Sequence, residues 1–541
     1  MADTLKTISR SAAHFFSGTL LSRITGMLRD VAMAYVFGTQ SFVAALLVAF
    51  RFAHLLRRLL GEGAMQTALI PHFEELRKES EVTAATFFRD LAFSLTILLT
   101  FLIVVIMCFL WGLLEYDVFN VGNAEIAWLT LVMMPSLLFI CLFGINASLM
   151  QCEKNYFVSS AAPVMFNLIW IVGVFYAGTM PQQTAMTSLS LFIVLACFAQ
   201  WVVTLPRTYA ILVAHGLTRV FKGIKLYSFN VRRLAVPLAL GIMGVAAAQV
   251  NNALDAVFAR WADEEGPALL WYAIRLQQLP LALFGIALSG ALLPPLARAI
   301  KGENWDQFQQ FLDFAFRRTL AFMVPITVAL FVFGDSCVAF IYGHGDFTSD
   351  SVVGTVKSLW GYAVGLIPMA LVLVLAPAFY AKGDYRTPSI VAVWSMALNI
   401  ALNTIAVAIL GLGAASIALA TSISAWFNMG WLTFSLRRST SLQSDHGAFE
   451  WLPSALKITG ISFIAAVVVI LMRSFLWGQI SPFEFFWGEV PDYRLPFFVQ
   501  VFHLAFEGVV FLVMVVVMAK VLKVKDITDL VGLRQRAQAE T

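Results

Sequence analysis

The stretch FRFAHLLRRLLGEGAMQTALIPHF (Phe50–Phe73) is echoed, with one residue gapped, by IRLQQLPLALFGIALSGALLPPLA (Ile274–Ala297). An arginine opens each, and Ala-Leu-Ile/Leu-Pro closes each. A weaker echo pairs ASLMQCEKNYFVSSAAP, from Ala147, with APAFYAKGDYRTPSIVA, from Ala376. Both echoes join the first half of the chain to the second in the same order, so the chain reads as two copies of one unit.

Composition says what kind of unit this is. A chain of 541 residues that is 60% hydrophobic and 13% charged, with mean hydropathy +0.82, is a polytopic membrane protein. Apolar runs of about 20 residues recur from end to end, and the alternation of a transmembrane barrel is absent. The expected fold is all-α with fourteen spans, at about 12–37, 42–60, 87–114, 124–151, 157–178, 186–213, 234–259, 268–299, 316–342, 353–381, 387–411, 413–436, 454–476 and 496–520. Two segments, GEGAMQTALIPHFEELRKES and ENWDQFQQFLDFAFRR, read as amphipathic pieces on the membrane surface.

Charge asymmetry supports this topology. With both termini placed in the cytoplasm, four of the 36 lysines and arginines (Arg260, Lys357, Arg473, Arg494) fall on the opposite side. Four more (Arg23, Arg29, Arg51, Arg275) lie within spans, and all the rest are cytoplasmic, as the positive-inside rule requires. Spans one to six (1–228) and seven to twelve (229–440) then form two six-helix lobes. Each starts in the cytoplasm, so the lobes are related by a pseudo-two-fold along the membrane normal. The last two spans and the basic tail (441–541) lie outside the repeat. The first residues read as a cytoplasmic lead-in and the tail as an interfacial segment near anionic lipid.

Four arginines sit where lipid would surround a lone helix. In LSRITGMLRDVAMAYVFG (Leu21–Gly38), Arg23 lies about 16 Å into the first span and Arg29 about 13 Å from its end, at 1.5 Å per residue. In lipid each would cost at least ~2.5–3.5 kcal/mol, so both should face protein or a wet cavity. They point about 120° apart on a straight helix, and a bend at Gly26 would bring them to one lumen. Arg51 and Arg275 are placed similarly, one in each repeat. A buried ion-pair network with Asp30 and Glu62 is one reading. A cationic central cavity for a phosphate-bearing substrate accounts better for all four, because guanidinium forks match phosphate oxygens two at a time.

Asp255, with Asn399 and Asn403 at i,i+4, offers one carboxylate and two amides. That set suits a small hard cation such as Na⁺, and equally an ordinary polar contact between helices. The five cysteines (108, 141, 152, 197, 337) form no CxxC, and the seven histidines form no metal motif. No P-loop, nucleophile elbow or paired acidic motif points to an enzyme or to any organic cofactor, and nothing points to nucleic acid.

At SRITGMLRD (Ser22–Asp30), LLRRLLGEGA (Leu55–Ala64), YAIRL (Tyr272–Leu276), YGHGDFT (Tyr342–Thr348) and LAPAFYAKGDYRTP (Leu375–Pro388), the sequence resembles the MurJ (MviN) family of lipid II flippases, within the MOP exporter superfamily. The resemblance implies a fourteen-helix inner-membrane protein that moves an undecaprenyl-diphosphate-linked peptidoglycan precursor outward by alternating access. The last two helices would make a groove for the lipid tail. The family's cavity arginines map onto Arg23, Arg29 and Arg275, and the glutamate of its EGA motif onto Glu62. Its sodium site, found in some members, maps onto Asp255, Asn399 and Asn403. The sequence departs from the family at Ala44, at Ile274 and at Ala53-His54, so a gating scheme built on acids there does not carry over. A monomer is the economical expectation, with other cell-wall synthesis proteins as candidate partners. Alternatives are a flippase for another diphosphate-linked glycan of the O-antigen type, a cation-coupled drug exporter, and a membrane enzyme acting on a lipid diphosphate.

Overall fold

The computed structural model describes residues 5–56, 64–217, 222–282, 286–439, 451–477 and 495–530, and they form helices with no strand among them. Two compact units divide the chain, Met1–Arg260 and Trp261–Thr541. The first contains α1 (Leu5–Phe37), α2 (Ser41–Leu56), α3 (Ala64–Glu79), α4 (Glu81–Glu115), α5 (Val121–Met133), α6 (Ser136–Cys152), α7 (Tyr156–Ala161), α8 (Pro163–Ala177), α9 (Gln182–Val202) and α10 (Leu205–Ala214), and it takes in nearly all of α11 (Phe229–Ala262). The second contains α12 (Gly266–Pro280), α13 (Ile286–Lys301), α14 (Trp305–Tyr342), α15 (Ser349–Ala363), α16 (Leu366–Ala381), α17 (Arg386–Thr404), α18 (Ala415–Ser439), α19 (Trp451–Trp477), α20 (Phe497–Val521) and α21 (Lys525–Leu530).

Among the described residues, seven helical segments are long and apolar enough to cross a membrane, or nine if each of two bent pairs is one span. The fourteen expected spans are compatible with this. Helix α1 is long enough, but Arg23, Arg29 and Asp30 interrupt its apolar stretch. The two bent pairs are α5 with α6, at 46°, and α15 with α16, at 40°. They correspond to the fourth expected span of each half, the position a repeat would give them.

The outer surface is inverted relative to a soluble protein. Only 11% of the apolar window of α4 is buried, and Leu98, Phe101 and Phe109 on it are exposed. Such a face belongs against acyl chains. Contacts between helices use small residues instead. A Cβ on Gly361 would come within 2.8 Å of the Ala418 Cβ, and one on Gly365 within 2.5 Å of Ser422 Oγ. This GYAVG face lets the α15–α16 bend sit directly on α18.

Local sequence sets several starts. Ser80 caps α4, its hydroxyl accepting the Thr83 N–H at 3.4 Å, a contact of the kind worth about 1 kcal/mol. Asn304 and Thr348 cap α14 and α15 in the same way. One expectation needs correction. The segment ENWDQFQQFLDFAFRR is not a separate surface helix: it is continuous with the ninth expected span in the 38-residue α14, whose break comes instead at the non-helical Phe333. The segment after the second span does form its own helix, α3.

Candidate functional site

Arg29 lies 6% exposed in the middle of α1. Its Nε and Nη2 both donate to Oδ1 of Asp30, at 3.1 and 2.7 Å, and Nη1 donates to Asn167 Oδ1 on α8 at 3.2 Å. The guanidinium carbon stands 4.6 Å from the centre of the Trp170 ring, one helical turn beyond Asn167. Asn167 also joins the two helices directly. Its Nδ2 donates to the Ser22 carbonyl at 3.1 Å and to Thr25 Oγ1 at 3.0 Å. Beneath this seam Trp170 meets Phe50 edge-on at 5.0 Å, and Phe50 stacks on His54 at 4.0 Å. The arginine is thus held flat by an aromatic ring and oriented by one carboxylate and one amide, a rigid presentation of a cation.

The bend expected at Gly26 is not a break in the helix. Helix α1 runs unbroken through it, and a Cβ there would meet the Asn167 amide at 3.6 Å. That is an ordinary van der Waals distance, so the packing of α8 does not require the glycine. Arg23 is therefore not turned into the surroundings of Arg29. It is exposed, and among the described residues it has no ion-pair partner.

Arg51 donates from Nη1 to the Asn252 carbonyl of α11 at 3.0 Å, tying α2 to that helix. Three residues on, Asp255 is 5% exposed and accepts from Asn251 Nδ2 at 3.3 Å. Near the end of α11, Arg260 donates to the Ser41 carbonyl at 3.0 Å. In the second unit, half-buried Arg275 on α12 stacks on Trp271, with its guanidinium carbon 4.5 Å from the ring centre. Arg29 and Arg275 thus share a device, a guanidinium laid on a tryptophan. Asn403 Nδ2 donates to Asn399 Oδ1 at 3.0 Å, and Asn399 Nδ2 to Thr421 Oγ1 at 3.2 Å. Glu62 lies outside the described residues.

Sequence reasoning missed Asn167 and Trp170. The signal was there: an asparagine inside an apolar run, with an aromatic residue at i+3. It also missed a second Arg-Asp neighbour pair. Arg89 folds onto Asp90 at 3.0 and 2.7 Å and donates to the Lys222 and Gly223 carbonyls at 2.6 and 2.8 Å, holding the segment after α10 against α4.

A family model described as "Lipid II flippase MurJ" matches residues 33–490. The chain belongs to the MurJ family. A probable lipid II flippase MurJ of Chlamydia pneumoniae is 31% identical over 471 residues, 86% of this chain and 84% of that protein. The corresponding protein of Chlamydia trachomatis serovar D is 30% identical over 546 residues, covering 98% and 97%. Among solved structures, the lipid II flippase MurJ in its inward closed conformation superposes with a TM-score of 0.71, covering 94% of this chain and 99% of that one at 23% identity. The MurJ fold is therefore common to both, as the resemblance implied.

Proposed function

We propose that this protein is a lipid II flippase, moving undecaprenyl-diphosphate-linked peptidoglycan precursor from the inner to the outer leaflet by alternating access. Membership of the family along nearly the whole chain carries this reading. In it, Arg23, Arg29, Arg51 and Arg275, with Glu62 beside them, engage the diphosphate. The stacked Arg29 and Arg275 supply fixed charge, and Arg23 supplies an exposed cation. The lobes 1–228 and 229–440 would rock about the site, and the segment 441–541 would hold the lipid tail. The protein would act as a monomer in the bacterial cytoplasmic membrane with both termini inside, and without chemical change to the lipid. An inside-negative potential assists export of an anion by roughly 2.3 kcal/mol per charge per 100 mV for a full crossing.

A sodium ion fits the donor set in kind, since Asp255, Asn399 and Asn403 all offer oxygen. These residues would hold the ion, and its occupancy would bias one conformation over another.

The test is leaflet-resolved lipid II accessibility in cells depleted of their own flippase. They would express this chain intact, or with Arg23, Arg29 or Arg275 changed to alanine, at matched membrane levels. Rescue by the intact chain and not by the variants is expected. Rescue by the variants as well would remove the arginines from substrate binding. Failure of the properly inserted intact chain would favour another diphosphate-linked glycan as substrate.

A further inference from the structure

In the second unit α14, α19 and α20 meet at a buried charge cluster. Arg473 on α19, 4% exposed, grips Asp335 of α14 with a fork, Nη1 to Oδ1 at 3.1 Å and Nη2 to Oδ2 at 2.8 Å. Nη1 also donates to the Val332 carbonyl at 2.8 Å, beside the break at Phe333. The Arg473 Nε stands 3.4 Å from Oε1 of Glu507 on α20. Asp335 and Glu507 are each 2% exposed.

The charges do not balance: two carboxyl groups share one guanidinium, and Asp335 takes both of its Nη atoms. Among the described residues, Arg473 is the one cation beside the Glu507 carboxyl, its Nε out of hydrogen-bonding geometry, and the neutral Ser336 hydroxyl is the other donor facing it. The remaining neighbours do not supply the missing charge. Ser336 and Cys337 follow Asp335 on α14, and both are neutral. His503 lies one turn back on α20, stacked on Trp477 of α19 at 4.0 Å. Helix α21 packs on α20 too, but its Asp526 carbonyl and Asp529 carboxylate are taken by Arg318. An ionised carboxylate held this way is heavily penalised, and a protonated one is not.

We propose that Glu507 is a proton-binding site inside the membrane, filled while α20 is seated against α14 and α19. With the proton on, the cluster is a neutral Asp335–Arg473 pair beside a neutral acid. With the proton off, it holds a net negative charge in a low-dielectric core, and α20 must move to bring Glu507 to water. The far side of α20 is apolar and exposed (Phe498, Phe502, Val509, Leu512), while Phe511, Val515 and Ala519 on its inner side pack in the core with α14 and α19 and are what the movement must loosen. A metal cation in place of the proton would sit against the guanidinium. The inference goes beyond lipid II transport and does not depend on which lipid is carried.

The test uses the full chain in lipid nanodiscs and the variant Glu507→Gln, which imitates the protonated acid. At neutral pH the infrared carbonyl band of a buried protonated carboxyl should be present in the parent and lost in the variant, with the melting temperature unchanged. Asp335→Asn should lower the melting temperature markedly. Hydrogen exchange across Phe497–Val521, corrected for its intrinsic pH dependence, should rise in the parent as pH is taken from about 6 to 9, and stay flat in Glu507→Gln. Superimposable infrared spectra would overturn the proposal. So would a Glu507→Gln protein that melts as early as Asp335→Asn, because Glu507 would then be an ionised structural partner of Arg473. Equal exchange in parent and variant would overturn the seating of α20 by the proton.

Discussion

Arg29 and Arg473 are both buried side chains on apolar helices, and they are held in opposite ways. The carboxylate of Arg29 is the next residue on its own helix, and its other partners are an amide and a ring on α8. The carboxyl groups around Arg473 come from two other helices, and the arginine also takes a backbone carbonyl at a helix break. Remove Arg29, and α1 and α8 keep the two bonds of Asn167 to Ser22 and Thr25. Remove Arg473, and three helices lose their common point. An arginine paired within its own helix keeps its neighbours independent of it and can serve a ligand, whereas one paired across helices is part of what holds them.

The sharpest way to break this comparison is to exchange the losses. Arg473→Leu is expected to destabilise the protein by about 3–5 kcal/mol, the cost of removing one partner from a buried pair. It should be read as an earlier melt in detergent and a lower membrane level. Arg29→Leu should melt closer to the parent, yet lose flipping by about a hundredfold at matched membrane level, since hydrogen bonds to charged groups are worth about 1.5–3 kcal/mol each. If Arg29→Leu melts as early as Arg473→Leu, the two arginines do the same work.

A finer comparison lies in the weaker echo. Lys154 and Gly383 occupy the same place in their two segments, and both are left-handed, at φ +55° and +75°. The turns match bond for bond: Lys154 donates to Gln151 and Asn155 to Met150, as Gly383 does to Tyr380 and Asp384 to Phe379. Only one copy has glycine where the backbone calls for it. Lys154→Gly should therefore stabilise by about 1 kcal/mol and Gly383→Ala destabilise by about 1–2 kcal/mol in thermal melts. Equal and opposite signs would show that the two turns, though alike in geometry, differ in strain.

The smallest effect concerns the cap that follows. Asp384 accepts the Thr387 N–H at 3.0 Å and its hydroxyl at 2.6 Å, whereas Asn155 at the matching position makes no side-chain cap. Burial pushes the Asp384 carboxyl up, but the Thr387 and Arg386 donors and nearby Lys382 outweigh it, so it sits below the ordinary aspartate value. Its contribution is then full above about pH 4, where the unfolded carboxyl is ionised, and fades as pH falls through the folded value. Asp384→Asn should flatten that acid limb of the melting profile. An unchanged limb would place the acid sensitivity elsewhere.

The sequence by itself determined the class of protein and its family. The class rests on apolarity summed along the chain, and the family on five short stretches, from Ser22–Asp30 to Leu375–Pro388, in their order and spacing. It also marked Arg29 and Arg275 as residues that lipid cannot hold, because a charge in hydrocarbon is costly whatever surrounds it. What only the tertiary structure decided is who shares the charge. Asn167 lies far from Arg29 in the chain, and Asp335, Arg473 and Glu507 come from three separate helices, so no local pattern links them. Burial penalties act on single residues and are legible along a chain; compensation acts between helices and is fixed only when they pack.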